Sequence, residues 1–237
     1  MSRKNVITVG NAGNIINGKN GKFIDSADFV VRMGNCATRG YEEYIGSKTD
    51  MYRVSWDRLL HNINKTGIYR PIDIHFTFKH LLFLEQNINE HYETTAQANV
   101  KRLTKLFYKP FFTEMSFNSF VFTKNIHPFL HESCLSYFNQ KYKVQAVEYM
   151  KIQDRVDVFM DINTPQCTDI VIPSSGILTL YHILKKFPNE NHYILGFDGF
   201  QTRYYWRDYE TFFEGHSSYR EQMYLKRLIK TGRINVL

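Results

Sequence analysis

Cysteine is scarce in this chain. Cys36, Cys134 and Cys167 are an odd, scattered set, and none of their spacings suits a metal site. A reducing, cytoplasmic home is the expectation. Long apolar runs are missing too: no stretch reaches the length of a membrane span, and Met1-Ser-Arg-Lys-Asn5 leads into a strand with no signal-peptide core. There is no internal repeat, no low-complexity tract and no Pro/Gly/Ser linker. The expectation is one compact unit over residues 1–237, a length able to bury a full core. Hydrophobic residues at 43% and charged residues at 22% agree with an ordinary globular protein.

Acidic charge is the other deficit. A formal net charge of +7 points to an anionic partner: a nucleic acid, an anionic membrane surface or a negatively charged small substrate. The Lys/Arg spacing forms no stripe and no nucleic-acid motif occurs, which argues against the first. Basic residues mass only near the C-terminus, at Arg220, Lys226, Arg227, Lys230 and Arg233. On the helix expected there, Met223, Leu225, Leu228 and Ile229 supply the apolar positions. Its basic face is either ordinary solvated surface or a peripheral attachment to anionic lipid.

What is present reads as alternating strands and helices. Val6-Ile-Thr-Val9 is an apolar run suited to a central parallel strand. It enters the turn Gly10-Asn-Ala-Gly-Asn14, where Gly10 and Gly13 allow positive φ and close backbone approach, so that free N–H groups could face a phosphate. Phe29–Met33 is a second strand, ending at Gly34-Asn35, and Thr49–Val54 a third. Ile72–Phe78 is a strand candidate within an aromatic and His-rich middle. Asp169–Ile172 reads as a strand, Ser174-Ser-Gly176 as a turn, Ile177–Lys186 as a helix, His192–Gly196 as a strand, and a last helix begins near His216. This alternation predicts a parallel sheet with helices on its faces and ligands at the carboxyl ends of the strands. Asn11, Asn14 and Asn35 stand at such ends. Ser174 and Ser175 open a helix whose N-terminal amides suit a carboxylate or phosphate, although serine there is also an ordinary cap. Tyr204 and Tyr205 are flanked by charged residues, and His216 at a loop–helix junction is a general-base candidate.

Together these segments resemble the sialyltransferases, which use CMP-activated sugars. Val9–Asn14 through Ile24–Met33, Asn35 and Gly46–Asp50 is similar to that family's long motif. Pro173–Leu178 through Gly196-Phe197 is similar to its short motif. Tyr204-Tyr-Trp206 stands where its aromatic motif falls, and His216 with Glu221 reproduces its His-x-x-x-x-Glu. The resemblance implies a GT-A-like, Rossmann-type three-layer α/β/α fold with a mostly parallel sheet. It also implies an inverting, metal-independent glycosyltransferase with no cofactor beyond its donor, and no Asp-x-Asp triplet occurs in the chain. By the same resemblance Asn11, Asn14, Asn35, Ser174, Ser175, Gly176, Tyr204 and Tyr205 bind the CMP-sugar. His216 takes the acceptor's proton, Glu221 orients the helix or His216, and no residue holds a metal. Residues 56–165, which the motifs leave uncovered, would read a glycan acceptor of oligosaccharide, lipopolysaccharide or capsule type.

The chain departs from the eukaryotic pattern, in which each of the two main motifs carries a cysteine and the pair forms a disulfide. Cys36 is out of place for either, and no Golgi anchor is expected. That pattern implies a bacterial or viral cytoplasmic version working at the inner face of a membrane or on a soluble acceptor. Kdo is an alternative donor, being another CMP-activated 2-keto-3-deoxy acid, and a non-catalytic nucleotide- or sugar-binding module is the alternative of a different class. A dinucleotide oxidoreductase fits less well, because Gly10-x-x-Gly13 is not Gly-x-Gly-x-x-Gly.

Overall fold

The computed structural model describes residues 2–34, 36–54, 79–83, 143–163, 171, 173–205 and 217–237. Within them the strands β1 (Asn5–Val9), β2 (Phe29–Met33), β3 (Met51–Val54), β4 (His80–Phe83), β5 (Ala146–Tyr149), β6 (Asn191–Leu195) and β7 (Asn235–Val236) form one sheet. Their order is β5-β4-β3-β2-β1-β6-β7, and every neighbouring pair is parallel. A 3-10 turn (Gly13–Asn17), α1 (Gly21–Ser26) and α2 (Glu42–Ile45) accompany the first strands. α3 (Ile152–Ile162), α4 (Ser175–Lys186) and α5 (Ser218–Lys230) follow later.

Period-two alternation sorts the strand side chains into two cores. Val6 and Val31 join a cluster with residues of α3, α4 and α5. Ile7, Val9 and Val30 join one with Ile15, Ile24 and Ile45. The result is the parallel sheet with helices on its faces that the alternation predicted, in the three-layer, Rossmann-type arrangement that the resemblance implied. β1 lies in the interior of the sheet between β2 and β6, where a run that enters both cores belongs.

Several elements differ from the sequence reading. β4, β5, α3 and β7 were not read from the sequence, and the Ile72–Phe78 candidate lies outside the described residues. So do 169, 170 and 172 of the expected Asp169–Ile172 strand. Val171 itself is paired with a side chain rather than a strand. Its N–H donates to Asn163 Oδ1 at 2.8 Å, and its carbonyl accepts from Asn163 Nδ2 at 2.8 Å. On α5 the expected apolar face is also corrected. Met223 and Ile229 are 49% and 41% exposed, and the buried stripe is Glu221, Tyr224, Leu225 and Leu228. Those four follow i, i+3, i+4, i+7 and therefore share one face, whereas Met223 falls on the opposite side.

α4 is held at its far end by Glu148 of β5. That carboxylate shares a 3.3 Å hydrogen bond with His182 Nε2 and accepts another from Lys186 Nζ, which together hold its pKa down to about 2 against the opposing effect of burial.

The turn after β1 is packed against the turn after β6. A β-carbon on Gly10 would stand 2.2 Å from the Gly196 carbonyl oxygen, which is backbone and has little room to move. Gly10→Ala is therefore expected to cost roughly 1–3 kcal/mol in urea unfolding. Unchanged stability would mean that the two turns separate freely.

Candidate active site

The chain steps outward from β1 through β2, β3, β4 and β5, then returns to the other side of β1 as β6. The order reverses between β1 and β6, and a crevice at such a reversal is where open α/β sheets hold ligands. A cleft lies there. Gly10–Ala12 line it from the end of β1, Met33 and Gly34 from β2, and Arg53 from β3. The head of α4 contributes Ser174–Gly176, and the loop after β6 contributes Phe197, Asp198 and Tyr204.

The head of α4 is its most organised wall. Ser174 is the N-cap, its Oγ accepting from Ile177 N at 3.3 Å. Leu178 N donates to the Ser174 carbonyl, so the cap serves both amides. The Ser175 and Gly176 amides stand ahead of the first complete turn, where no preceding carbonyl serves them. Opposite, Glu221 of α5 reaches across. Its Oε1 accepts from Ser174 N at 2.6 Å and its Oε2 from Ser174 Oγ at 2.8 Å. This carboxyl is only 4% exposed. Burial pushes its pKa up to about 7 even though both Ser174 hydrogen bonds pull it down. Glu221 thus clamps the cap of α4 while lining the cleft.

Asn11 is oriented by a 3.0 Å bond from its Nδ2 to the Met33 carbonyl. Its Oδ1 is buried with no partner among the described residues, an acceptor left open in a cleft wall. Tyr204 also lines the cleft, bridging to Ala12 in antiparallel fashion. Tyr205 is turned the other way, as successive residues of an extended segment are. Its ring packs in the core beside Tyr41, and its hydroxyl donates to the Ala37 carbonyl at 2.9 Å. That hydroxyl is occupied away from the cleft, so of the two tyrosines implied to bind the donor only Tyr204 lines it. Asn14 is likewise not part of the lining, being exposed on the 3-10 turn. Asn35 and His216 lie outside the described residues.

The glycine turn also differs from the phosphate cradle expected of it. Gly13 N and Asn14 N both donate to Thr202 Oγ1, at 2.6 and 3.3 Å. Gly10 N goes to the Leu195 carbonyl and Ala12 N to that of Gly196. Neither Gly10 nor Gly13 has a positive φ. Their role is close approach: a β-carbon on Gly13 would meet the Arg203 carbonyl at 2.7 Å. The turn carries Asn11 into the cleft, but those four amides are used within the protein.

Arg53, Asp198 and Thr202 are lining residues that were not singled out from sequence. Arg53 is 5% exposed and sits on the β3 strand two residues after Met51, hence on the α4 side of the sheet. A cation near the end of an otherwise apolar strand was a readable signal. Asp198, whose carboxylate accepts from Thr202 and Gln201, directly follows Gly196-Phe197, so its position was readable as well. Thr202, which satisfies the Gly13 amide across 189 residues of chain, gave no local signal.

Comparison with known proteins gives a consistent result. The family model described as glycosyltransferase family 29 (sialyltransferase) matches residues 3–233. Over 132 residues the chain is 28% identical to CMP-N-acetylneuraminate-beta-galactosamide-alpha-2,3-sialyltransferase 1 of Gallus gallus, covering 54% of this chain and 38% of that protein. Over 118 residues it is 30% identical to the Homo sapiens protein of the same name, covering 48% and 34%. The chain thus spans little more than a third of the curated relatives it matches. The crystal structure of a mammalian sialyltransferase superposes with a TM-score of 0.51 at 16% identity, covering 99% of this chain and 69% of that one. The same figures hold for a mammalian sialyltransferase in complex with Gal-beta-1-3GalNAc-ortho-nitrophenol. At that identity the likeness is one of fold.

Proposed function

The chain belongs to glycosyltransferase family 29, the sialyltransferases, and from that premise we propose that it moves a sialic acid from CMP-sialic acid to a hydroxyl of a glycan acceptor, with inversion and without a metal. The observation that carries this reading is the convergence, at the β1/β6 reversal, of the α4 N-terminus, Arg53, Asn11 and Tyr204 in one cleft. A CMP-sugar of this class has two anionic groups, a phosphate and a carboxylate at the anomeric carbon. A helix N-terminus and a guanidinium are complementary to them.

In the proposed reaction the acceptor oxygen attacks the anomeric carbon as the bond from that carbon to the phosphate oxygen breaks. CMP departs with the electron pair, and His216 takes the acceptor proton. Tyr204 donates to the departing phosphate, stabilising charge as it develops. The Ser175 and Gly176 amides hold the carboxylate. The open Oδ1 of Asn11 accepts from a donor group of the nucleoside, and Asn35 contributes as the family motif implies. Glu221 acts through Ser174 as a positioning residue. The names of the curated relatives specify N-acetylneuraminate and a beta-galactosamide. Sialic acid is therefore preferred to Kdo as donor, and a galactose-terminated glycan is the first acceptor to try.

Calorimetric titration with CMP, CMP-sialic acid, CMP-Kdo and UDP tests the reading. CMP and CMP-sialic acid are expected to bind and UDP not to, with EDTA leaving affinity and turnover unchanged. Tighter binding of CMP-Kdo would reassign the donor, and no cytidine binding would reduce the cleft to scaffolding.

A further inference from the structure

α5 has a second face that neither the core nor the cleft uses. Its inward stripe reaches the cleft through Glu221. Opposite lie Tyr219, Met223, Lys226 and Lys230, spaced four, three and four residues apart and so aligned along one line of the helix. Tyr219 is 71% exposed. All four are exposed, and neither lysine meets a carboxylate among the described residues. Exposed Ile229 and Arg227 flank the line. The acidic groups nearby are turned elsewhere: Glu221 faces Ser174, and Asp161 of α3 pairs with Arg227 at 3.1 Å.

We propose that this face docks on an anionic phospholipid surface, with Tyr219 and Met223 entering the headgroup boundary and Lys226 and Lys230 meeting the lipid phosphates. The mixture of groups selects that partner. A tyrosine and a thioether interleaved with lysines match a surface that is charged outside and apolar just beneath. A nucleic-acid backbone would reward the lysines but give Met223 and Ile229 nothing to bury against. Docking through α5 sets the cleft about one helix diameter from the bilayer, because Glu221 lines the cleft from the opposite side of the same helix. If the proposed transfer activity holds, that arrangement favours a lipid-borne acceptor. The docking itself does not depend on the activity.

The test is co-sedimentation of the whole chain with phosphatidylcholine vesicles, with and without phosphatidylserine, at low and physiological salt. Binding is expected only where phosphatidylserine is present, weakening as salt rises. The pair Lys226→Gln and Lys230→Gln should lower partitioning about 30-fold, from roughly fivefold per lysine. Tyr219→Ser with Met223→Ser should lower it about tenfold without any change in charge. These residues are exposed, and CMP affinity measured on each variant reports whether the cleft is intact. Absence of binding to phosphatidylserine vesicles overturns the proposal. So does vesicle binding that ignores Tyr219→Ser with Met223→Ser while single-stranded RNA binds with the same dependence on the two lysines, since the face would then be a general polyanion surface.

Discussion

Alanine at position 216 is expected to lower sialyl transfer by about 10²- to 10⁴-fold while CMP affinity stays within a few fold, the range that loss of a general base produces. In the proposed reaction His216 takes this role by its place in His-x-x-x-x-Glu, whose glutamate, Glu221, lines the cleft. A base must be neutral to accept the proton, so turnover should fall on the acid side with a midpoint in the histidine range. Equal losses in turnover and CMP affinity would make His216 a phosphate ligand instead. Full activity in His216→Ala would remove it from the chemistry altogether.

Glu221 titrates in the same range, and its substitution separates the two groups. Its folded pKa, raised to about 7, lies above the ordinary carboxyl value of 4.5. Between those values the folded state binds the proton that the unfolded chain releases. Stability therefore falls as pH rises from about 4.5 to about 7, and the full cost, about 3 kcal/mol, is present above pH 7. Glu221→Gln keeps an acceptor for Ser174 N while removing the desolvated charge. It should flatten that pH dependence and leave the protein at least as stable at pH 8 (an alkaline reference of about one unit above the shifted value). Glu221→Ala is different: the Ser174 amide loses its acceptor in a buried place, at a cost of about 1–3 kcal/mol. CMP-sialic acid affinity should fall with it as the cap of α4 loosens. Urea unfolding across pH, with calorimetry on the same variants, reads both effects. A Glu221→Gln protein with the wild-type pH slope, or a Glu221→Ala protein with wild-type stability and affinity, would show that the clamp is idle. If the acid limb of turnover survives Glu221→Gln, it belongs to His216.

The parts legible in the sequence were those that local pattern specifies. Val6–Val9 and Phe29–Met33 are short, mostly apolar runs that read as interior strands, although the second carries Arg32, whose buried guanidinium donates to the Ile45 carbonyl. Ser174 before an apolar helix announced an N-cap, and that cap is present. The tyrosine pair illustrates where local pattern stops. Tyr204 and Tyr205 look alike in sequence, and only the antiparallel bridge of Tyr204 to Ala12 decides which faces the cleft. The glycine turn is similar. Its flexibility was readable, but Thr202, which takes up the Gly13 and Asn14 amides, comes from the other end of the chain. On α5 the hydropathy of Met223 and Ile229 suggested burial. The core instead accepts Glu221 on that helix, because Ser174 satisfies its carboxylate.

The interior position of β1, between β2 and β6, has a consequence for how the chain is made. Asn5 to Val9 register against Asn191 to Leu195, so this interior strand of the sheet finds one of its two neighbours 186 residues later. At ordinary ribosomal speeds, about 5–20 residues per second, β1 waits roughly 10–40 s with one edge open. An unpaired apolar strand edge is a template for wrong pairing. Nascent chains stalled before residue 191 should therefore be the species most dependent on chaperones and most prone to aggregate. Circular permutants that bring β6 next to β1 in synthesis order should shorten that exposure.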